Sequence, residues 1–385
     1  MELVFGIIVG LIILVALVAV HELGHGIVAR RNGVVVEEFG IGFPPKAWGK
    51  KIKKSVLGKN VLFTLNWLPL GGFVRLKGEH DAASEKGDYG AATYWVKTKI
   101  LLAGVVMNWI VAIVLFTVLA LWGMPKILPD QFSIASDTVA TKDPLQVVNV
   151  IEDTPAAKAG LKQGDQVLRI NDTKVDTSKS LSDETKSLAG QEVDIVYTSE
   201  GVEQSTKVQL NADNEAGKGF LGIQTREREE LRSTWSAPIV GVGLTVQLTA
   251  ATFSGIGTLL SDSITGFFQQ FSSNEATKKV ASEKLTSVSQ QVTGPVGILG
   301  IIFPQAQKAG LKILVLISAI ISLSLAVMNT LPIPALDGGR WATMTIYKLR
   351  KKTLTKEREE KIQTAGFIAL LALIIMVTFA DVGKF

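Results

Sequence analysis

The stretch Leu3–Val20 contains no charged residue and runs directly into His21-Glu22-Leu23-Gly24-His25. An apolar run of about 18 residues is long enough to cross a bilayer as a helix. An ionisable group at that depth costs roughly 2.5–3.5 kcal/mol on insertion scales, so it is kept where it does chemistry. Two imidazoles and a carboxylate therefore close a transmembrane helix, and the chain is restricted to membrane architectures. The run begins right after Glu2 and no A-x-A type cleavage site follows it, so it reads as a retained helix rather than a removed signal.

Composition agrees: 47% of the 385 residues are hydrophobic and only 19% are charged, with a mean hydropathy of +0.31. Three further apolar segments follow, Ile100–Trp122, Ile313–Leu331 and Thr364–Ala380. Charge orients them. The loop Arg30–Lys99 holds 13 Lys/Arg against 6 Asp/Glu, and Arg340–Lys361 holds 8 against 3. The long segment Gly123–Gly310 holds 17 against 22. Short basic loops stay cytoplasmic, so both termini and the long segment are expected outside the cytoplasm of a multi-pass inner-membrane protein. Ile239–Leu260 is uncharged but rich in Gly, Ser, Thr and Gln, and reads as an amphipathic helix on the outer membrane surface. The basic residues are scattered and form no nucleic-acid recognition motif.

With no cysteine and three histidines in the chain, a metal must be held by His, Asp or Glu. His21 and His25, four apart, share one helix face and can share one ion. Zinc accepts imidazole nitrogen and keeps a position open for catalysis. Glu22 points to a neighbouring face, where it can take a proton from the attacking water. A third ligand is needed. His80 lies in the polar loop Lys77-Gly78-Glu79-His80-Asp81 and reads as a surface residue. Asp337 is the stronger candidate: it follows Asn329-Thr330-Leu331-Pro332-Ile333-Pro334-Ala335-Leu336, where two prolines break the third span. A broken helix is tolerated at membrane depth where the backbone lines a protein cavity. The expectation is one zinc ion per chain.

The paired motifs around His21 and Asp337 resemble the site-2 protease family of intramembrane zinc metalloproteases, in its bacterial branch with a PDZ domain. The resemblance implies that His21, His25 and Asp337 bind zinc, that Glu22 is the general base, and that Asn329 helps to handle the substrate. Gly40-Ile41-Gly42-Phe43 resembles the family's Gly-x-Gly segment, with Pro44 where glycine is common. Pro69–Glu79 resembles its membrane-associated β-hairpin, which assigns substrate contact to Gly72, Phe73 and Val74. Ala103-Gly104-Val105-Val106-Met107-Asn108 resembles a Gly-Pro-x-x-Asn motif, with Val105 in place of proline. Thr293-Gly294-Pro295-Val296-Gly297-Ile298 also matches a segment of the family.

Between about 143 and 228 short β-type runs replace the apolar spans, and Ala159-Gly160-Leu161-Lys162-Gln163-Gly164-Asp165 resembles a PDZ signature. Such a domain can capture extended peptide by strand addition or exclude bulky substrates by size, and size exclusion or docking control is the expectation. The expected fold class is a polytopic α-helical membrane protein with four transmembrane helices, a cytoplasmic-side β-hairpin and one extracytoplasmic PDZ-like α+β domain. Its divisions are 1–122 (two spans and hairpin), 123–142 (linker), 143–228 (PDZ-like), 229–310 (amphipathic helices) and 311–385 (two spans). Implied partners are the bilayer, single-span substrates such as anti-sigma factors or remnant signal peptides, and an upstream site-1-type protease. Two rivals are a catalytically silent peptide-binding scaffold, which has no need of Glu22, and a metal transporter, which would need more polar residues in its spans than Asn108 and Thr117 in Ile100–Trp122.

Overall fold

The computed structural model describes residues 2–142, 144–214, 218–227, 229–272 and 274–382. The expected limits 143 and 228 of the PDZ-like region therefore lie outside the described residues. The chain forms two compact units, Met1–Leu119 with Pro238–Phe385 and, inserted between them in sequence, Ala120–Ala237.

The first unit opens with helix α1 (Glu2–Arg31), which carries His21, Glu22 and His25 in its C-terminal half. Two long antiparallel strands follow, β1 (Val36–Ile52) and β2 (Val61–Leu76). They fold back on themselves. Glu38–Ile41 pairs with Leu62–Leu65 on one side and with Gly72–Arg75 on the other, while Lys46–Ile52 pairs with the far edge of Val61–Asn66. Gly72–Leu76 is thus an outer edge, longer in its context than the short hairpin expected from sequence. Helix α2 (Tyr94–Trp122) then runs antiparallel to α1, with Gly24 against Ala103 and Met107. Close approach through small residues is the packing mode open to helices that gain no hydrophobic drive from lipid.

The second unit is β-rich. Strands β3 (Met124–Pro125) and β4 (Val139–Lys142) lie in the stretch read as a linker. Next come β5 (Leu145–Val150), α3 (Pro155–Lys158), β6 (Gln166–Ile170), β7 (Thr173–Lys174), α4 (Ser178–Ser187), β8 (Glu192–Ser199), β9 (Val202–Gln209), β10 (Ile223–Arg226) and β11 (Glu229–Arg232). One sheet has the order β10-β5-β6-β8-β9, with β7 on β6; its core includes Leu145, Val167, Ile170 and Ile195, none of them exposed. A small sheet, β3-β11-β4, gives the linker stretch its structure. Thr177 and Ser180 form a reciprocal cap at the start of α4, satisfying donors the helix leaves open.

The first unit resumes with α5 (Ala237–Gln269), α6 (Glu275–Gln291) and α7 (Pro295–Gly297), then a π-helical turn (Ile298–Ile302) and α8 (Phe303–Lys308). It ends with α9 (Leu311–Thr330), α10 (Asp337–Leu349) and α11 (Lys356–Val382). Among the described residues five helices are long and apolar enough to cross a membrane: α1, α2, α5, α9 and α11. Four spans were expected; α5 is the addition. Large apolar side chains stand exposed on these helices, among them Ile12, Phe367, Met376 and Phe379, a surface that water does not tolerate in bulk.

The segment read as a surface helix lies in α5, and one extra crossing there would by itself put Asp337 on the opposite face from His21 and His25. The packing removes that difficulty. Gly241 of α5 abuts Thr117, at the end of α2 remote from the histidines. Helix α6 turns back along α5, with Leu285 against Gly266. The chain then meets Asp381 near the end of α11, which accepts the Gly294 and Gly297 amides at 2.9 and 2.8 Å. Pro304 packs on Gly6, and Lys308 pairs with Glu2 at 3.0 Å. The segment from α5 to α8 therefore begins and ends beside the N-terminal half of α1. Helix α9 starts there, runs parallel to α1, and delivers Asp337 to the histidine end.

Candidate metal centre

Three candidate ligand atoms converge where α1, α2 and α10 meet. His21 Nε2 lies 3.0 Å from Asp337 Oδ2, His25 Nε2 lies 3.2 Å from the same oxygen, and the two Nε2 atoms are 3.1 Å apart. A tetrahedral zinc ion with bonds of about 2.0–2.1 Å sets its ligands about 3.3 Å apart. The triangle fits that ion with little adjustment, and its donor set of two imidazoles and one carboxylate suits zinc. His21, Asp337 and His25 could hold it. His25 Nδ1 donates to the Ile100 carbonyl at 2.7 Å, so its Nε2 faces the centre as an acceptor.

The surroundings make room for these groups. Gly104 of α2 lies under both rings; a Cβ there would fall 2.4 Å from His25 Nε2 and 2.6 Å from His21 Nε2. The Asp337-Gly338-Gly339 run is the first turn of α10 rather than a free turn after α9. Its glycines admit the Thr330–Pro334 backbone, which a Cβ at Gly339 would strike at 1.9 Å from Ile333 O. Ala335 holds φ at 78°, in the left-handed region, and donates its amide to Gln363 Oε1 at 2.7 Å. That conformation costs a non-glycine residue about 1–2 kcal/mol, and it aims the next residues at the histidines.

Glu22 lies beside the triangle, its carboxylate within 4.8 Å of both imidazoles. The Val74 amide donates to Glu22 Oε2 at 3.0 Å, and Oε1 has no hydrogen-bond partner among the described residues. The outer edge of β2 thus runs past the base, with the Val74 amide on it and Gly72 beside it, while the Phe73 ring lies over Gly40. Asn329, on the last turn of α9, donates its amide to its own helix at Leu325 O, 3.0 Å away. His80 does not join the cluster; it lines a cavity of about 800 Å³ that also touches Asp337, Glu79, Arg340 and Glu359. Sequence reasoning gave no role to Arg340. It donates to Glu79 Oε1 and Glu359 Oε1, both at 3.2 Å, and to the Glu79 carbonyl, and it lies 4.6 Å from the Tyr89 ring. Its position three residues after Asp337, on the same helix face, was the available signal.

Comparison with known proteins extends this geometry. The family model described as Peptidase family M50 matches residues 9–373. A Clostridium perfringens protein whose name calls it a candidate zinc metalloprotease is 31% identical over 98% of both chains. The zinc metalloprotease RasP of Geobacillus kaustophilus is 26% identical over 96% of both. The regulator of sigma-W protease RasP of Bacillus subtilis is 26% identical over 97% of both. Among solved structures, the PDZ domain of an SdrC-like protein from Listeria monocytogenes matches 22% of this chain and 90% of its own length, at 29% identity and a TM-score of 0.20.

Proposed function

Because the chain belongs to peptidase family M50, we propose that it is an intramembrane zinc metalloprotease of the site-2 type, holding one zinc ion on His21, His25 and Asp337 and using Glu22 as general base. The observation that carries this reading is the triangle of ligand atoms, 3.0–3.2 Å on each side, with a carboxylate of separate attachment next to it. Held by these three residues, zinc would supply Lewis acidity, polarising the scissile carbonyl and lowering the pKa of water toward neutrality.

The chain's own residues do the rest. Glu22 Oε1 takes the proton of the attacking water and returns it to the leaving amine. Val74 holds the other oxygen, so the acceptor stays aimed at the centre. The outer edge of Gly72–Leu76 takes an unwound substrate segment as an added strand, which exposes a peptide bond that an intact helix would shield. Asn329, on the last turn of α9 before the broken segment, contacts that segment in this reading.

The basic loops around residues 30–99 and 340–361 support a cytoplasmic-side active site and extracytoplasmic termini. Substrates are single-span membrane proteins, such as anti-sigma factors or remnant signal peptides, trimmed first by a site-1-type protease. The 143–228 region acts as an extracytoplasmic PDZ-like domain. A groove of about 360 Å³ between α4 and the edge strand β10 favours peptide capture there over size exclusion alone.

The test uses purified protein and a single-span membrane peptide in detergent or vesicles. Wild type is expected to cut within the span, chelator to stop it, and zinc to restore it. A chain that binds peptide but never cuts it would favour the silent scaffold.

A further inference from the structure

The mechanism above leaves Asn108 without a task. It is fully buried on α2. Its carboxamide lies 3.2 Å from His21 Nδ1, nitrogen toward the ring, and its Oδ1 is enclosed without a hydrogen-bond partner. Its backbone carbonyl accepts Ser322 Oγ of α9 at 2.9 Å, and Ser322 is also fully buried. An enclosed, unpaired polar atom costs about 1–3 kcal/mol. A position that served only packing would do better with an apolar side chain.

The chemistry of His21 supplies the reason. Its Nε2 is the atom turned toward His25 and Asp337. An imidazole that ligates through Nε2 carries its proton on Nδ1, and that N–H needs an acceptor. An amide nitrogen facing it would set donor against donor. The two ends of a carboxamide have the same shape, so a half turn about Cβ–Cγ brings Oδ1 to the ring at the same place. Either orientation leaves one amide group enclosed; ligation by Nε2 selects the one with oxygen at the ring.

We propose that Asn108 is a positioning residue: its Oδ1 accepts His21 Nδ1–H and holds the ring in the tautomer whose Nε2 lone pair faces the metal. It does for His21 what the Ile100 carbonyl does for His25. The serine tie to α9 keeps α2 in register with the helix that leads to Asp337. This inference rests on the metal-site reading above.

The test is competition between the full-length protein in detergent and a zinc chelator of known affinity. Removing such an outer partner typically weakens metal binding about 10–100-fold, and Asn108→Leu is expected to do so. Asn108→Asp, whose carboxylate can only accept, is expected to bind zinc at least as tightly as wild type. A leucine variant that binds like wild type, or an aspartate variant as weak as the leucine one, overturns the proposal. Nitrogen-15 NMR of histidine-labelled, zinc-loaded wild type needs no variant: Nδ1 of His21 should be protonated, and an unprotonated Nδ1 contradicts the assignment. Wild type that holds no zinc would instead overturn the site itself, and this proposal with it.

Discussion

The Val74 amide donates to the Glu22 carboxylate at 3.0 Å, so the proposed base is clamped to the strand edge past which substrate would lie. Glu22→Gln keeps the shape and can still accept this hydrogen bond, but it cannot take a proton. Cleavage is expected to fall about 10²–10⁴-fold, with zinc content by mass spectrometry unchanged. Loss of zinc on this substitution would make Glu22 a ligand instead of a base.

Gly104 is the floor of the site. In Gly104→Ala the added Cβ would fall 2.4–2.6 Å from both Nε2 atoms, and the α2 backbone that carries it cannot yield easily. Zinc affinity is expected to drop about 10–100-fold while the thermal midpoint in detergent changes little. Unchanged affinity would mean that the rings do not rest on α2.

Arg340 ties the loop after β2 to α10 and α11 through Glu79 and Glu359. The Glu359 side chain is only 6% exposed, so removing the arginine leaves a buried carboxylate with the Asp81 amide but no cation. Arg340→Ala is expected to cost about 3–5 kcal/mol, seen as a lower midpoint of unfolding and, through α10, as weaker zinc retention. Arg340→Lys should recover only part, because an ammonium cannot span both carboxylates as a fork. A midpoint equal to wild type in both variants would contradict the tie.

Much of the site was legible because its chemistry is local. The His21–His25 spacing is one helical turn, and the prolines before Asp337 announce a broken helix. What stayed hidden depends on partners far along the chain. Asn108 was visible as a motif residue, but the ring it faces lies 87 positions away. The Arg340–Glu79 contact spans 261 positions. The strands β3, β4 and β11 are two to four residues long, too short to show periodicity, and exist through pairing. The reach of α5 was ambiguous for another reason: hydropathy measures a segment alone, whereas the return of the chain rests on tertiary packing, such as Leu285 of α6 against Gly266 of α5.

Asp137 gives the second unit a pH dependence. Desolvation raises its carboxyl pKa, but hydrogen bonds from Ser236 and Thr234 outweigh that and hold it below the usual range. Their backbone amides donate to Oδ2 at 3.0 and 2.8 Å. A carboxyl depressed on folding adds stability above its unfolded pKa of about 3.9, and that stability is lost as pH falls toward the folded value. Hydrogen-exchange protection of the Thr234 and Ser236 amides should be constant from neutral pH to about 4 and decline below it. Asp137→Ala should lack that protection at every pH. Protection independent of both would contradict the cap.

In the proposed centre the carboxylate leaving α9 completes a metal site begun on α1. Anomalous diffraction at the zinc edge, on crystals of the purified chain, would locate the ion. One zinc peak is expected within about 2.2 Å of His21 Nε2, His25 Nε2 and an Asp337 oxygen. A peak held by the histidines with Asp337 outside bonding distance, or no peak between α1 and α10, would contradict it.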